Sequence, residues 1–337
     1  MTTGKTANSI GGSIRSKLQE IIPPEQLRFD EPLSRHTSFR TGGPADCFVS
    51  VHSEGELTGL IRFLENQGIP RFLLGRGSNL LVSDSGFRGV VIRLSGEFEE
   101  IRPVWEDQEA EHSLVDITFN SEETQTLAPS SRRIFCGAGA SLASLASFAL
   151  ERSLTGLEFA SGIPGSLGGG IIMNAGAYGG ELGNLVNNVR ILRDGEVQLF
   201  SKEEMDFSYR TSRAKREGFL ILSAEFALSP GEPGEIRGKM RELNEKRREK
   251  QPLEYPSAGS TFKRPEGNFA GRLIEEAGLS GVSVGGARVS EKHCGFLINS
   301  GDATSADIYR LIRLVQEKVQ QASGILLEPE VILLGDF

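Results

Sequence analysis

The residues of this chain best suited to chemistry lie in its glycine-rich loops. Gly162-Ile163-Pro164-Gly165-Ser166-Leu167-Gly168-Gly169-Gly170 runs on to Asn174-Ala175-Gly176-Ala177-Tyr178-Gly179, a glycine-dense stretch without any repeat. Glycine loses more conformational entropy on folding than any other residue, so such density is kept where φ is positive or where a ligand approaches bare N–H groups. Gly75-Arg76-Gly77-Ser78-Asn79-Leu80 follows the apolar strand candidate Phe72-Leu73-Leu74, and Gly137-Ala138-Gly139 follows Ile134-Phe135-Cys136. Successive backbone N–H groups in such turns form concave anion sites. Three strand-then-glycine loops in one chain point to a ligand with a pyrophosphate, although Gly137-Ala138-Gly139 taken alone reads first as a tight turn. Neither Gly75–Asn79 nor the long run has the strand, G-x-G-x-x-G, helix and acidic residue ~20 positions on that a Rossmann unit needs. A pyrophosphate cofactor held by another architecture fits better.

Hydroxyls and cations gather in a second region, Ser257-Ala258-Gly259-Ser260-Thr261-Phe262-Lys263-Arg264. Ser260 by itself would read as a turn hydroxyl. Just upstream, a helix over 235–250 carries the stripe Ile236, Met240, Leu243, Arg247, Lys250, which turns from aliphatic to basic before Pro252. Such a helix end can deliver a cation to the rim of a site, or a lysine can lie along core surface. The chain closes on Ile325-Leu326-Leu327-Glu328-Pro329-Glu330-Val331-Ile332-Leu333-Leu334, expected to be a buried strand interrupted by two carboxylates. A carboxylate in apolar surroundings has its charged form disfavoured, which occurs at catalytic positions and also at strand edges. Cys47, Cys136 and Cys294 are odd in number and set in apolar contexts, so buried free thiols are expected rather than disulfides. His36, His52, His112 and His293 show no ligand spacing, and no metal is expected.

The 337 residues suit two or three domains, and 38% hydrophobic with 24% charged residues is ordinary for a soluble globular protein. No apolar stretch approaches the ~20 residues that span a bilayer. Residues 1–17 read as a polar, mobile tail without an apolar signal region, so a cytoplasmic protein without membrane contact is expected. A net charge of −8 argues against nucleic-acid binding. Residues 201–264 nevertheless hold fourteen Lys and Arg against eleven Asp and Glu, a balance of +3 that leaves −11 elsewhere, and this local patch could meet an anionic ligand.

The elements that must position these residues alternate in type. A strand at 47–51, a helix over 54–66 and a strand at 71–74 form a βαβ unit. Ser53 and Glu56 start its helix as a capping box, and Gly68 ends it. Residues 90–94 read as a further strand. Residues 97–123 contain ten acidic residues and the lone Trp105, and an acidic insertion over about 97–133 is expected as a hairpin or long surface loop. A helix over 141–152 follows the third glycine loop. Strands at 189–192 and 197–200 flank Asp194-Gly195, a strong hairpin signal, and 219–228 is another strand. Ser229-Pro230-Gly231-Glu232-Pro233-Gly234 reads as a linker and the domain boundary. Beyond it lie the helix over 235–250, a short helix near 269–277 and an amphipathic helix over 305–322 that stops at Gly324.

Taken in order, His36-Thr37-Ser38-Phe39-Arg40-Thr41-Gly42-Gly43-Pro44-Ala45, Gly75–Leu80, Gly162–Ser166, Asn174–Gly179, Tyr209-Arg210-Thr211-Ser212, Ala258–Arg264 and Leu327–Val331 resemble the UDP-N-acetylenolpyruvoylglucosamine reductase family over residues 33–335. The resemblance implies an α+β protein. Residues 18–228 would form an FAD-binding domain of the vanillyl-alcohol-oxidase (PCMH) type in two α/β subdomains. Residues 229–337 would form an α+β substrate-binding domain whose last strand returns to the active site. It implies noncovalent FAD, NADPH as electron donor, the enolpyruvyl ether of UDP-N-acetylglucosamine as substrate, and a monomer or weak oligomer.

By motif, the family's catalytic residues fall on Arg210, Ser260 and Glu330. Cofactor contacts fall on Gly75, Arg76, Gly77, Ser78, Asn79, Leu80, Gly137, Ala138, Gly139, Gly162, Ile163, Pro164, Gly165, Ser166, Gly169, Asn174, Gly176 and Tyr178. Substrate contacts fall on Tyr209, Lys250, Lys263 and Arg264. Only Thr211–Gly218 separates Arg210 from the next strand, which leaves no room for the tyrosine-bearing loop of one branch. The chain therefore resembles the shorter, loop-lacking type, and how the uridine diphosphate is gripped stays open. The alternative is an FAD-dependent oxidase of an alcohol or sugar with the same fold. Such oxidases often tether flavin through a histidine in the first phosphate loop, and Gly75–Asn79 has none.

Overall fold

A computed structural model of the protein describes residues 10–104 and 132–337. Along the first half of the chain run α1 (Gly12–Ile21), β1 (Leu27–Pro32), β2 (Pro44–Val51), α2 (Glu54–Asn66), β3 (Arg71–Leu73), β4 (Leu80–Val82), β5 (Phe87–Leu94), β6 (Ile101–Val104), β7 (Arg132–Gly137), α3 (Leu142–Glu151), β8 (Leu154–Thr155) and α4 (Leu167–Ile172). Then follow β9 (Gly176–Ala177), β10 (Gly180–Glu181), β11 (Val186–Arg193), β12 (Glu196–Ser201), α5 (Arg213–Glu217), β13 (Leu220–Pro230) and α6 (Pro233–Lys250). The chain ends with β14 (Ser257–Ser260), α7 (Ala270–Glu276), β15 (Ser283–Val284), β16 (Ala287–Val289), β17 (Phe296–Asn299), α8 (Ser305–Ser323) and β18 (Ile332–Leu334). In the described residues, unit 1 draws on Met1–Ser50, Phe63–Arg93 and Lys246–Phe337, and unit 2 on Val51–Arg62 and Leu94–Glu245. No described helix is long and apolar enough to cross a membrane.

Unit 1 holds a sheet in the order β1-β2-β5-β3, a second in the order β14-β17-β16-β15, and the parallel pair β4 and β18. The expected β2 and β3 therefore share a sheet, with β5 between them. Helix α8 begins with a capping box between Thr304 and Asp307 and ends at Gly324 with φ +75°. Its apolar stripe, Ile308, Leu311, Ile312, Val315 and Val319, is buried in one core with Phe39, Leu81, Leu297 and Leu327. The C-terminal layer is thus packed onto residues from the first hundred. Polar bonds fix the same junction: both Asp84 carboxylate oxygens accept from the N–H groups of Ser305 and Ala306 at 2.9 Å, and Asn299 Nδ2 donates to Phe39 O at 3.0 Å.

Unit 2 is built on an antiparallel sheet in the order β12-β11-β13-β7-β6. The β11–β12 hairpin turns at Asp194 (φ +52°) and Gly195 (φ +80°), as a two-residue turn matched to strand twist requires. Strands β6 and β7 pair from Ile101↔Cys136 to Val104↔Arg133, so the acidic insertion leaves the sheet from an antiparallel base. Trp105 and the rest of the insertion to residue 131 lie outside the described residues. Ser141 and Ser166 cap α3 and α4 through their side chains.

Three expectations are corrected. Residues 12–17 belong to α1 rather than to a tail: Leu18 and Ile22, four residues apart, are both buried, and Arg15 pairs with Asp30 at 2.9 Å. Residues 229–234 are not a linker, because Ser229 and Pro230 extend β13 against Thr155 and Leu154 and α6 already begins at Pro233. Proline is tolerated at both places, at a strand end and in a first helical turn, so the Pro/Gly signal was misleading. Residues 325–334 are not one buried strand; only Ile332–Leu334 forms β18, and Ile332 and Leu333 are exposed. Cys47, Cys136 and Cys294 are buried and unpaired, and burial pushes the Cys47 thiol up to about 12.

The capping box makes unit 1 sensitive to acid. The Thr304 N–H donating to the Asp307 carboxylate, with Arg310 beside it, holds Asp307 below the usual carboxylate range. A depressed folded-state pKa stabilises above the unfolded value of about 3.9, and that contribution fades as pH falls through the folded value. Urea unfolding should therefore show Asp307→Asn less stable than wild type at pH 7, with the gap narrowing below about pH 4.

Candidate active site

The three glycine loops differ in what their amides do. The N–H groups of Gly75, Arg76, Gly77 and Ser78 meet no acceptor among the described residues. Gly77 has φ +62°, and a Cβ there would lie 1.9 Å from His36 O. The Ser38 N–H, donating to Gly77 O at 3.0 Å, holds the loop against the 36–38 turn. Packing therefore dictates glycine while the amides stay open, which fits a loop that receives phosphate oxygens. His36 itself is committed elsewhere: it is buried, bonded to Glu31 at 2.9 Å and stacked on Phe48 at 4.2 Å. Burial, partly offset by the Glu31 hydrogen bond, lowers its pKa.

The third loop behaves oppositely. Gly137, Ala138 and Gly139 donate to Glu100, Leu222 and Phe98 carbonyls at 2.9, 2.9 and 2.8 Å. A Cβ at Gly137 or Gly139 would fall 2.2 Å from Phe98 O or 2.5 Å from Leu94 O. These amides are not available to an anion, and the tight-turn reading describes them. The loop's other task is to seat the long glycine run, since Leu167 and Gly168 donate to Ala140 O and Ala138 O at 2.8 Å. Within that run, Gly162 ends a short 3-10 helix and Ile163-Pro164 leads to Gly165, whose added Cβ would make only ordinary contact with Leu142 at 3.4 Å. Gly169 is similar, with Ser166 Oγ at 3.6 Å. The chain's own packing does not require glycine at 165 or 169.

Asn174 (φ +43°) is buried, with its amide engaged inside the protein. Its Nδ2 donates to Glu181 Oε2 at 2.8 Å and to Ser208 O at 3.2 Å, and its Oδ1 accepts from Gly183 N at 2.9 Å. The Tyr209-Arg210 turn is closed by reciprocal Ser208 and Thr211 bonds of 3.1 Å. Arg210 (φ +56°) donates from Nη1 to Gly176 O at 3.3 Å. Tyr178 and Tyr209 are both exposed. Helix α5 fills the space between Arg210 and β13, in agreement with a short connection.

In unit 1 the sequence brings Ser260 and Glu330 into one backbone network. Glu330 N donates to Thr261 O at 2.8 Å and Lys263 N to Glu328 O at 2.9 Å, with Phe262 opposite Pro329. On the far side, Asn79 Nδ2 donates to Glu330 O at 3.1 Å, and Ile332 N donates to Asn79 O at 3.1 Å. Leu80 then pairs with Ile332 as β4 meets β18. Ser260 closes β14 opposite Phe296 and is exposed, whereas Thr261 is fully buried. Lys263 forms an ion pair with Glu328. Arg264 lies 3.9 Å over the Phe269 ring, and Lys250 is exposed at the end of α6, where Ile236 and Leu243 are the buried members of the stripe. Sequence reasoning missed Asp84, Asn299 and Gln316, whose Nε2 donates to Leu327 O at 2.8 Å. Gln316, a polar residue beside the α8 stripe, was the one with a readable signal.

Residues 45–200 match the family described as FAD binding domain, and residues 251–334 match the one described as UDP-N-acetylenolpyruvoylglucosamine reductase, C-terminal domain. The UDP-N-acetylenolpyruvoylglucosamine reductase of Caldanaerobacter subterraneus subsp. tengcongensis is 47% identical over 321 residues, 95% of this chain and 97% of that protein. The chain belongs to this reductase family. The reductase of Agathobacter rectalis is 48% identical, covering 94% of this chain and 97% of its own length. The crystal structure of the reductase from Thermus caldophilus matches with a TM-score of 0.73 at 33% identity, over 92% of this chain and 100% of that one. The expected α+β fold with an FAD-binding domain holds, and the oxidase alternative is not favoured.

The contrast between loops is testable with two alanines. Gly137→Ala forces a methyl into Phe98 O and should destabilise the FAD-free protein by about 1–3 kcal/mol. Gly165→Ala should leave the melting temperature of the FAD-free protein within a few degrees while lowering FAD occupancy, read by absorbance after gel filtration.

Proposed function

We propose that this chain reduces the enolpyruvyl ether of UDP-N-acetylglucosamine to UDP-N-acetylmuramate, with FAD as noncovalent cofactor and NADPH as donor, in cytoplasmic synthesis of peptidoglycan precursors. The observation that carries this reading, in a chain of the reductase family, is the backbone network joining the Ser260 turn, the Glu330 segment and the loop with open amides. The residues fit the cofactor: the Gly75–Ser78 N–H groups would hold its phosphate oxygens, and Gly165 and Gly169 would let it approach the backbone. FAD, when bound, supplies hydride transfer from NADPH to the terminal carbon of the enolpyruvyl group.

The chain's own residues must manage the negative charge left on the neighbouring carbon and its carboxylate. Arg210, always cationic and planar, suits that carboxylate. Ser260, exposed at the end of β14, would give its hydroxyl proton to the basic carbon. Serine is a weak acid in water, so this role depends on the strength of that base. Glu330 would orient the charged group or donate from its neutral form. Tyr209 would cover the reacting rings, and Lys250, Lys263 and Arg264 would meet the substrate's anionic groups.

Ser260→Ala should bind FAD and be bleached by NADPH at nearly the wild-type rate, while recovery of colour on adding the enolpyruvyl nucleotide slows. General acid catalysis is worth roughly 10²–10⁴-fold, against about tenfold for a lost neutral hydrogen bond of about 0.5–1.5 kcal/mol. Ser260→Cys should recover part of the rate. Stopped-flow absorbance decides: recovery within a few fold of wild type, or a defect confined to reduction by NADPH, removes the proton-donor role. Rapid recovery with oxygen alone would instead support an oxidase.

A further inference from the structure

We propose that Asn174 and Ser212 are positioning residues that set the reactive placement of Arg210, rather than contacts to the cofactor. This rests on the role given to Arg210 above. The turn that carries Arg210 is held at both ends by buried side chains from or onto the glycine-run segment. At its start, Ser208 O accepts from Asn174 Nδ2 at 3.2 Å. At its end, Ser212, with no exposed surface, donates from Oγ to Ile172 O at 3.0 Å. Both anchor points lie within three residues in sequence, Ile172 and Asn174. The same Asn174 amide reaches Gly183 N and Glu181, so one side chain joins three stretches of chain.

The arrangement explains where an amide is required. Both Nδ2 protons and Oδ1 of Asn174 are engaged with protein atoms, and the residue is 2% exposed, which commits its side-chain amide to the protein. Asparagine also tolerates its φ of +43° better than most residues. Arg210 sits at φ +56°, a conformation that persists only when its surroundings over-determine it. The Ser208–Thr211 closure, the two side-chain anchors and the Arg210 bond to Gly176 O supply that constraint. Release of either anchor would let the guanidinium sample other directions without removing it.

The test is a double-mutant cycle in the FAD-loaded enzyme. Asn174→Ala and Ser212→Ala should each lower kcat by about 10- to 100-fold, the size expected of a misplaced catalytic group, with FAD occupancy and KM for NADPH close to wild type. In the Arg210→Ala background, neither substitution should lower kcat further. Ser212→Ala removes a single hydrogen bond and keeps the test alive if Asn174→Ala does not fold; Ser212→Thr should recover activity. Wild-type kcat in Ser212→Ala, lost FAD occupancy, or an equal loss in the Arg210→Ala background would each overturn the positioning proposal. Wild-type activity of Arg210→Ala alone would instead overturn the role of Arg210, and this proposal with it.

Discussion

Two backbone peptides, those flanking Glu330, hold the C-terminal half of the candidate site together. The Glu330 N–H is bonded to Thr261 O, and its carbonyl accepts from Asn79. A carboxylate-bearing residue 251 positions away from Asn79 in sequence is thereby built into the same small lattice as the Gly75–Asn79 loop and the Ser260 turn. Phe262 and Pro329 face each other as a non-hydrogen-bonded antiparallel pair, so the missing N–H of Pro329 costs this pairing no bond, and the flanking bonds at Lys263 and Glu330 carry the register. Thr261 adds a second tie, its buried Oγ1 accepting from Leu297 N at 3.2 Å.

Unit 2 solves a related problem with strain rather than a ladder. Asn174, Tyr178 and Arg210 all have positive φ, which costs a non-glycine residue of order 1–3 kcal/mol and clusters at functional sites. At Asn174 and Arg210, buried polar side chains hold that conformation. The glycines fall into two groups on the same physical ground: those of the third loop make room for carbonyls of neighbouring segments, and those at 165 and 169 meet little of the chain itself. Density of glycine alone does not separate the two; the partners of the amides do.

Much of this was legible in the sequence. The helix over 54–66, the α8 stripe, the Asp194-Gly195 hairpin and the start of the glycine loops are local patterns, and local patterns survived. The first loop follows a strand as its composition suggests, and the third is ambiguous in sequence because a tight turn and an anion nest share composition. The tail, the linker and the last strand were misread for one reason: each depends on a partner distant in sequence. The helix of Leu18 forms only with a core to receive that side chain, Pro230 is a strand end only because Thr155 and Leu154 lie beside it, and residues 327–331 follow Thr261 and Asn79 instead of extending β18. Asp84, Asn299 and Asn174 act through side-chain hydrogen bonds to segments apart in sequence that no periodicity announces.

The most direct test of this account is amide hydrogen exchange at Glu330 and Ile332 in the intact protein. Both N–H groups are bonded across the lattice, to Thr261 O and Asn79 O, so they should exchange as slowly as buried amides of α8 such as that of Leu311 and be lost together on global unfolding. Exchange at either position near the rate of an unstructured peptide, while α8 stays protected, would contradict it.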